Sequence, residues 1–201
     1  MADRKSLIVP NMDHPAADIT FGVVTGEGLP DYENRKKRGD GMEYIVTIKV
    51  DKGTKKQIEA DFLEYWNDNK SKKAPKKPDN WKGLFRKNEE GDTLFSARTK
   101  TEFNGKPKVI QITDAKNNKL DPETFGSIGA GSTGRIVTNL SIFNEGSEDE
   151  GIGYYLEAVR LITFSPYTGG SIDIDEEEGD ALGGGGAPAE SKKEKKKKSK
   201  K

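Results

Sequence analysis

Cysteine is absent from this 201-residue chain, and histidine occurs once, at position 14. The first absence removes disulfide frameworks and thiolate metal sites, and makes an intracellular setting the default expectation. The second removes any histidine-based triad and any multi-histidine metal centre. Long apolar runs are missing too. "SLIVP" near the start is far too short for a signal-peptide core, and no stretch approaches membrane-spanning length. A soluble, cytoplasmic protein without membrane contact is expected. Apolar residues make up only 31% of the chain, little for a compact domain of this length. Net charge is absent as well, because 34 basic residues balance 34 acidic ones, but the signs are segregated into blocks. One modest folded domain with polar loops and unstructured ends fits both facts.

What is present reads as short β segments. "ITFGVV" from Ile19 is a first strand, and 25–41 is a long loop of Gly, Pro, Asp and Asn. "MEYIVTIKV" (42–50) alternates, with Tyr44, Val46, Ile48 and Val50 on one face and Ile45, Thr47 and Lys49 on the other. The period then changes. Over 54–70, Ile58, Phe62 and Tyr65 or Trp66 recur at helical spacing between charges, which predicts one amphipathic helix. A Pro- and Lys-rich connector (71–92) leads to strands at 93–103 and 108–114, joined by the turn "NGK". The last strands are 135–143 and 153–164, separated by the acidic loop "NEGSEDEG". A helix after only one of these strands excludes a doubly wound α/β sheet. The prediction is all-β with one helix: a five-stranded oligonucleotide-binding (OB-fold) barrel with long loops and one amphipathic helix after strand 2. The expected boundaries are a flexible arm at 1–16, the barrel at 17–168 and a disordered acidic-then-basic tail at 169–201.

No catalytic constellation emerges. The carboxylates sit mainly in loops and at the C-terminal end, where solvation accounts for them, so no catalytic residue, metal or cofactor is expected. "GAGSTG" (129–134) has the glycine spacing of a dinucleotide fingerprint. It lacks the preceding strand and following helix that bring a pyrophosphate to a helix N-terminus, and a flexible turn is the better reading.

"RIVTNLSIF" is more informative. Ile136, Thr138, Leu140 and Ile142 form a core face, leaving Arg135, Val137, Asn139, Ser141 and Phe143 outside. A cation and an aromatic on one solvent face suit single-stranded nucleic acid, where bases stack on rings and cations meet phosphate. "LFSARTKTEF" repeats the design, with Arg98 and Lys100 outside, Phe103 next, and Lys106 and Lys108 past the turn. Two basic clusters add to this. Arg35, Lys36, Lys37 and Arg38 follow Tyr32 in the first loop, and the connector 70–90 holds eight basic residues against three acidic around Trp81 and Phe85.

In the order of "GMEYIVTIKV", the helix, "DAKNNKLDPETFGSIGAGS", "IVTNLSIF" and "GYYLEAVRLITF", the chain resembles the single-stranded DNA-binding proteins of podovirus-type phage replisomes. The resemblance spans roughly residues 17–170. It implies a non-enzymatic OB-fold protein that coats unwound strands, removes hairpins and promotes annealing in phage DNA replication, recombination and repair. It also implies a homodimer in the cytoplasm of an infected bacterial host, and a mobile acidic tail that contacts the phage DNA polymerase and helicase/primase. Phe143 occupies the position of an aromatic that stacks on DNA in that family. In the tail, Asp173, Asp175, Glu176, Glu177, Glu178 and Asp180 would imitate a phosphate backbone and compete for the basic groove from a tethered, millimolar-order concentration. Unlike the family's acidic ends, this chain finishes with eight lysines and one glutamate from Ser191 on. Two alternatives stay open: an acidic-tailed β-barrel chaperone or scaffold for basic proteins, and an RNA-binding OB protein.

Overall fold

The computed structural model describes residues 11–167. Five strands build the barrel: β1 (Ala17–Val23), β2 (Met42–Lys49), β3 (Thr93–Lys100), β4 (Ser132–Phe143) and β5 (Gly151–Thr163). The pairs β1–β2, β2–β3 and β4–β5 are antiparallel. β3 meets β5 in parallel at Arg98 and Tyr155, while β4 returns to β1 through Ser132–Gly134. The path closes on itself. The fold is therefore a closed five-stranded barrel with one main helix, as the strand order and periodicity had implied.

Alternation decides which side chains enter the barrel. Val46, Ile48, Phe95, Ala97, Ile136, Leu140, Leu156 and Val159 are buried, and their sequence neighbours on β4 remain only half-buried. The helix α1 (Lys52–Asn69) begins at Asp51, whose carboxylate accepts from the Thr54 N–H at 2.6 Å and caps the first turn. Ile58, Phe62 and Trp66 recur every four residues and drive one stripe of α1 into the core. The Trp66 Nε1–H donates to the Pro75 carbonyl at 3.1 Å, pinning the connector that follows. No described helix is long and apolar enough to cross a membrane.

Three local expectations need correction. Residues 11–14 are not a loose arm: Asn11–Asp13 pairs with Val137–Asn139, and His14 is fully buried. The imidazole fits because Thr138 Oγ1 lies 2.8 Å from Nε2 and the rings of Phe62 and Phe95 flank it. Second, β3 ends at Lys100. Glu102–Phe103 and Lys106–Pro107 form a separate two-stranded ribbon, turned by Asn104 and Gly105, both with positive φ. The chain then pairs Gln111–Asp114 in parallel with Ala158–Leu161 instead of returning along β3. Third, the glycine-rich stretch is largely structural. Ser127–Ile128 pairs with β1, and Ser132 already belongs to β4. A side chain at Gly134 would press on the Arg160 carbonyl at the barrel seam. The expected tail, with Asp173, Asp175, Glu176, Glu177, Glu178 and Asp180, lies outside the described residues.

Candidate nucleic-acid interface

The outer face of β4 and β5 carries two aromatic rings, Phe143 and Tyr155. In the β4–β5 ladder Phe143 is opposite Gly151, Ser141 opposite Gly153, and Asn139 opposite Tyr155. Both glycines leave room that neighbouring rings take. A side chain at Gly151 would collide with the Phe143 ring, and one at Gly153 would meet Tyr155 Cε2 at 2.9 Å and Ser141 Oγ at 2.7 Å. Two rings thus rest against bare backbone on one face. Phe143 is half-buried and does not belong to the buried core, whereas Tyr155 is 48% exposed.

Past Tyr155 the face opens into a groove of about 660 Å³ between the sheet and the 102–107 ribbon. Its walls include Lys100, Phe103, Asn104, Lys108, Asn139, Tyr155 and Glu157. The Phe103 ring is 71% exposed, and Lys106 sits opposite it on the ribbon. Lys108 Nζ pairs with Glu157 Oε2 at 2.6 Å. Among the described residues Lys100 meets no carboxylate at ion-pairing distance. Sequence reasoning picked out Phe103, Lys100, Lys106 and Lys108 here but passed over Tyr155 and Glu157. The signal for Tyr155 was available: adjacent tyrosines in an alternating strand must face opposite sides, and Tyr154 points inward against Phe62 and Phe95.

The remaining sequence-predicted residues fall elsewhere. Arg35 and Arg98 converge on one carboxylate, Glu43, with NH1–Oε1 distances of 3.2 and 2.6 Å. Arg35 also donates to the Pro30 carbonyl. Their combined charge is therefore halved by a buried partner. Tyr32, Lys36, Lys37 and Arg38 are exposed on the first loop, with Lys36 Nζ 5.8 Å from the Tyr32 ring centre, and none lines the groove. Arg135 stands opposite Arg160, four residues along β4 from Asn139 and outside the groove lining. Trp81 is half-buried, packed on the core with Lys77 Nζ 5.0 Å from its ring centre. Its neighbour Asn80 bonds both polar backbone groups of Ile152, which docks the connector beside the Phe143 end of the ring row.

The β4–β5 loop is held by Glu150, a buried carboxylate. It accepts from the Ser71 N–H at 2.7 Å, the Ser71 hydroxyl at 2.6 Å and the Gly146 N–H at 2.7 Å. Burial alone would raise its pKa. The Ser71 and Gly146 hydrogen bonds, with Lys70 nearby, outweigh that and hold it below the usual carboxylate range. The loop that delivers Phe143 is thereby tied to the end of α1.

No protein-family model matches the chain, and no curated protein matches it in sequence. Among solved structures it is similar to the single-stranded DNA-binding protein encoded by bacteriophage T7. That alignment has 14% identity and a TM-score of 0.48, and covers 82% of this chain and 98% of the other. The single-stranded DNA-binding protein from bacteriophage Enc34 aligns at 15% identity with a TM-score of 0.44, over 78% of this chain and 84% of that one. Its complex with single-stranded DNA aligns at 15% identity with a TM-score of 0.45, over 75% and 86% of the two chains. Identities this low assign neither activity nor site to this chain, whose chemistry rests on its own side chains.

Proposed function

We propose that this chain is a non-enzymatic single-stranded DNA-binding protein that coats strands with little base preference during phage DNA replication and recombination. One observation carries the reading: two rings seated on two glycines form a row on one outer face, and that row runs into a groove lined by an exposed phenylalanine and lysines. Rings can stack only on bases whose faces are free, and in a duplex those faces are already covered. The row therefore selects single strands, at about 1–3 kcal/mol per stacked base. Lys100, Lys106 and Lys108 would meet phosphates beside it, with Arg98 and Arg135 further along the barrel. The finer parts belong to the same proposal: strand annealing, a homodimer, recruitment of polymerase and helicase/primase by the acidic block at 173–180, and action inside the infected cell.

The test is fluorescence anisotropy with single-stranded DNA, duplex DNA and RNA probes across a salt series. Single-stranded DNA should bind tightest, with log affinity falling against log salt by about 0.7 per phosphate neutralised. Phe143→Ala and Tyr155→Ala should each cost about 1–3 kcal/mol while thermal midpoints stay put. Unchanged strand affinity in both variants, or equal binding of duplex, overturns the proposal.

A further inference from the structure

A carboxylate is out of place in a groove that receives phosphates, because it repels them. Two nevertheless line this one: Glu102 on the exposed ribbon, and Glu157 on the sheet floor beside Asn139, Tyr155, Phe103 and Lys108. Alternation puts Glu157 there, since Leu156 is buried and its neighbours Tyr155 and Glu157 both face out, and a β-bulge begins at this point. Val137 faces Ala158 and Thr138 faces Leu156, so Glu157 is an extra residue of β5 with no partner on β4. The bulge leaves this outward charge without a cross-strand neighbour on β4. Oε2 holds Lys108 Nζ at 2.6 Å, and among the described residues no hydrogen bond engages Oε1 or the Asn139 side-chain amide.

The geometry points to a nucleobase subsite in this groove that reads guanine, through Glu157, from a bound single strand. This inference rests on the single-strand reading above and adds one specific position to an otherwise tolerant surface. Guanine presents two adjacent donors, N1–H and N2–H, on its pairing edge, and a carboxylate accepts both in parallel. Its O6 then accepts a hydrogen bond from the Asn139 amide or the Lys108 ammonium. A carboxylate has about four lone-pair positions, so Glu157 keeps Lys108 while accepting the base. The other bases fail at the same place. Cytosine and adenine set a ring-nitrogen acceptor beside their amino donor, and thymine flanks its single N3–H with two carbonyls, each of which faces the carboxylate unfavourably. Phe103 and Tyr155 supply the stacking surface that holds whichever base enters.

The experiment measures anisotropy with an oligothymidine and with the same strand carrying one central guanine, inosine or adenine. The guanine strand should bind about tenfold tighter than oligothymidine, the scale of a good bidentate base contact. Inosine, which lacks the N2 donor, should fall between them, and adenine should give no gain. In Glu157→Gln the guanine-to-thymine ratio should collapse to about one, because an amide offers one acceptor and one donor. A Glu157 that merely positions Lys108 would instead weaken every strand alike and leave the ratio intact, which overturns the inference. Equal binding of guanine and thymine strands by the wild-type protein overturns it too, while leaving single-strand binding standing. If no strand binds at all, both readings fall.

Discussion

Burial lowers the His14 pKa from 6.5 to about 4, because the imidazole sits among aromatic rings and away from water. Its Nε2 bonds Thr138, and among the described residues Nδ1 has no partner to stabilise a second proton. The unfolded chain therefore binds more protons than the folded one between these two pKa values. Stability is complete above pH 6.5 and declines as pH falls toward 4, by about 2 kcal/mol at pH 5. Urea midpoints measured from pH 7.5 to 5 should show this slope, and His14→Asn should flatten it. Carboxylates held low, such as Asp51, Asp92, Asp114 and Glu150, lose stability only at more acid pH. At this scale the sequence was least informative. One buried polar residue between Asp13 and Pro15 leaves no periodicity to read. Likewise, Glu43 gathers Arg35 and Arg98 from 8 and 55 residues away, a pairing that only the closed barrel creates.

Among the elements, those with a sustained period were legible. The stripe Ile58, Phe62 and Trp66 and the alternation of Ile136, Thr138 and Leu140 end up buried where their spacing placed them. The features that shape the groove interrupt a period: the break after Lys100, the Asn104–Gly105 turn and the bulge at Glu157. Spacing cannot reveal an interruption that tertiary pairing decides. The two glycines of β5 are a further case, since a missing side chain marks a shelf only once its cross-strand neighbour is known. Gly153→Ala tests the shelf directly. The new methyl would meet the ends of the Tyr155 and Ser141 side chains, both able to swing away, so the fold should hold. The displaced ring should cost strand binding about as much as one stacked base, 1–3 kcal/mol. Combining it with Tyr155→Ala should add nothing further, because both changes remove one ring from one place. Additive losses in anisotropy titrations would separate the glycine from the tyrosine and remove the shelf's role.

For the whole molecule, strand order and one helix position were enough to define the barrel, while the distribution of charge leads to a separate conclusion. The last 31 residues carry eight lysines and eight acidic residues, so residues 1–170 keep 26 of each sign, 34 less 8. Body and tail are each neutral overall. Long-range attraction to DNA therefore depends on where charges sit, and opposite halves of the tail should act in opposite directions. Ending the chain after Leu182 removes every tail lysine but keeps Asp173, Asp175, Glu176, Glu177, Glu178 and Asp180, leaving a net charge of −6. Ending it after Gly170 removes both blocks and restores neutrality. Strand affinity at low salt should be lowest for the Leu182 truncation and recover in the shorter chain, with the full-length protein at or above it. Raising salt should compress the differences, because tethered anions and strand phosphates compete through screened charge. Equal affinities for both truncations would show that the acidic block does not compete with DNA for the groove lysines, and would leave it free for a protein partner.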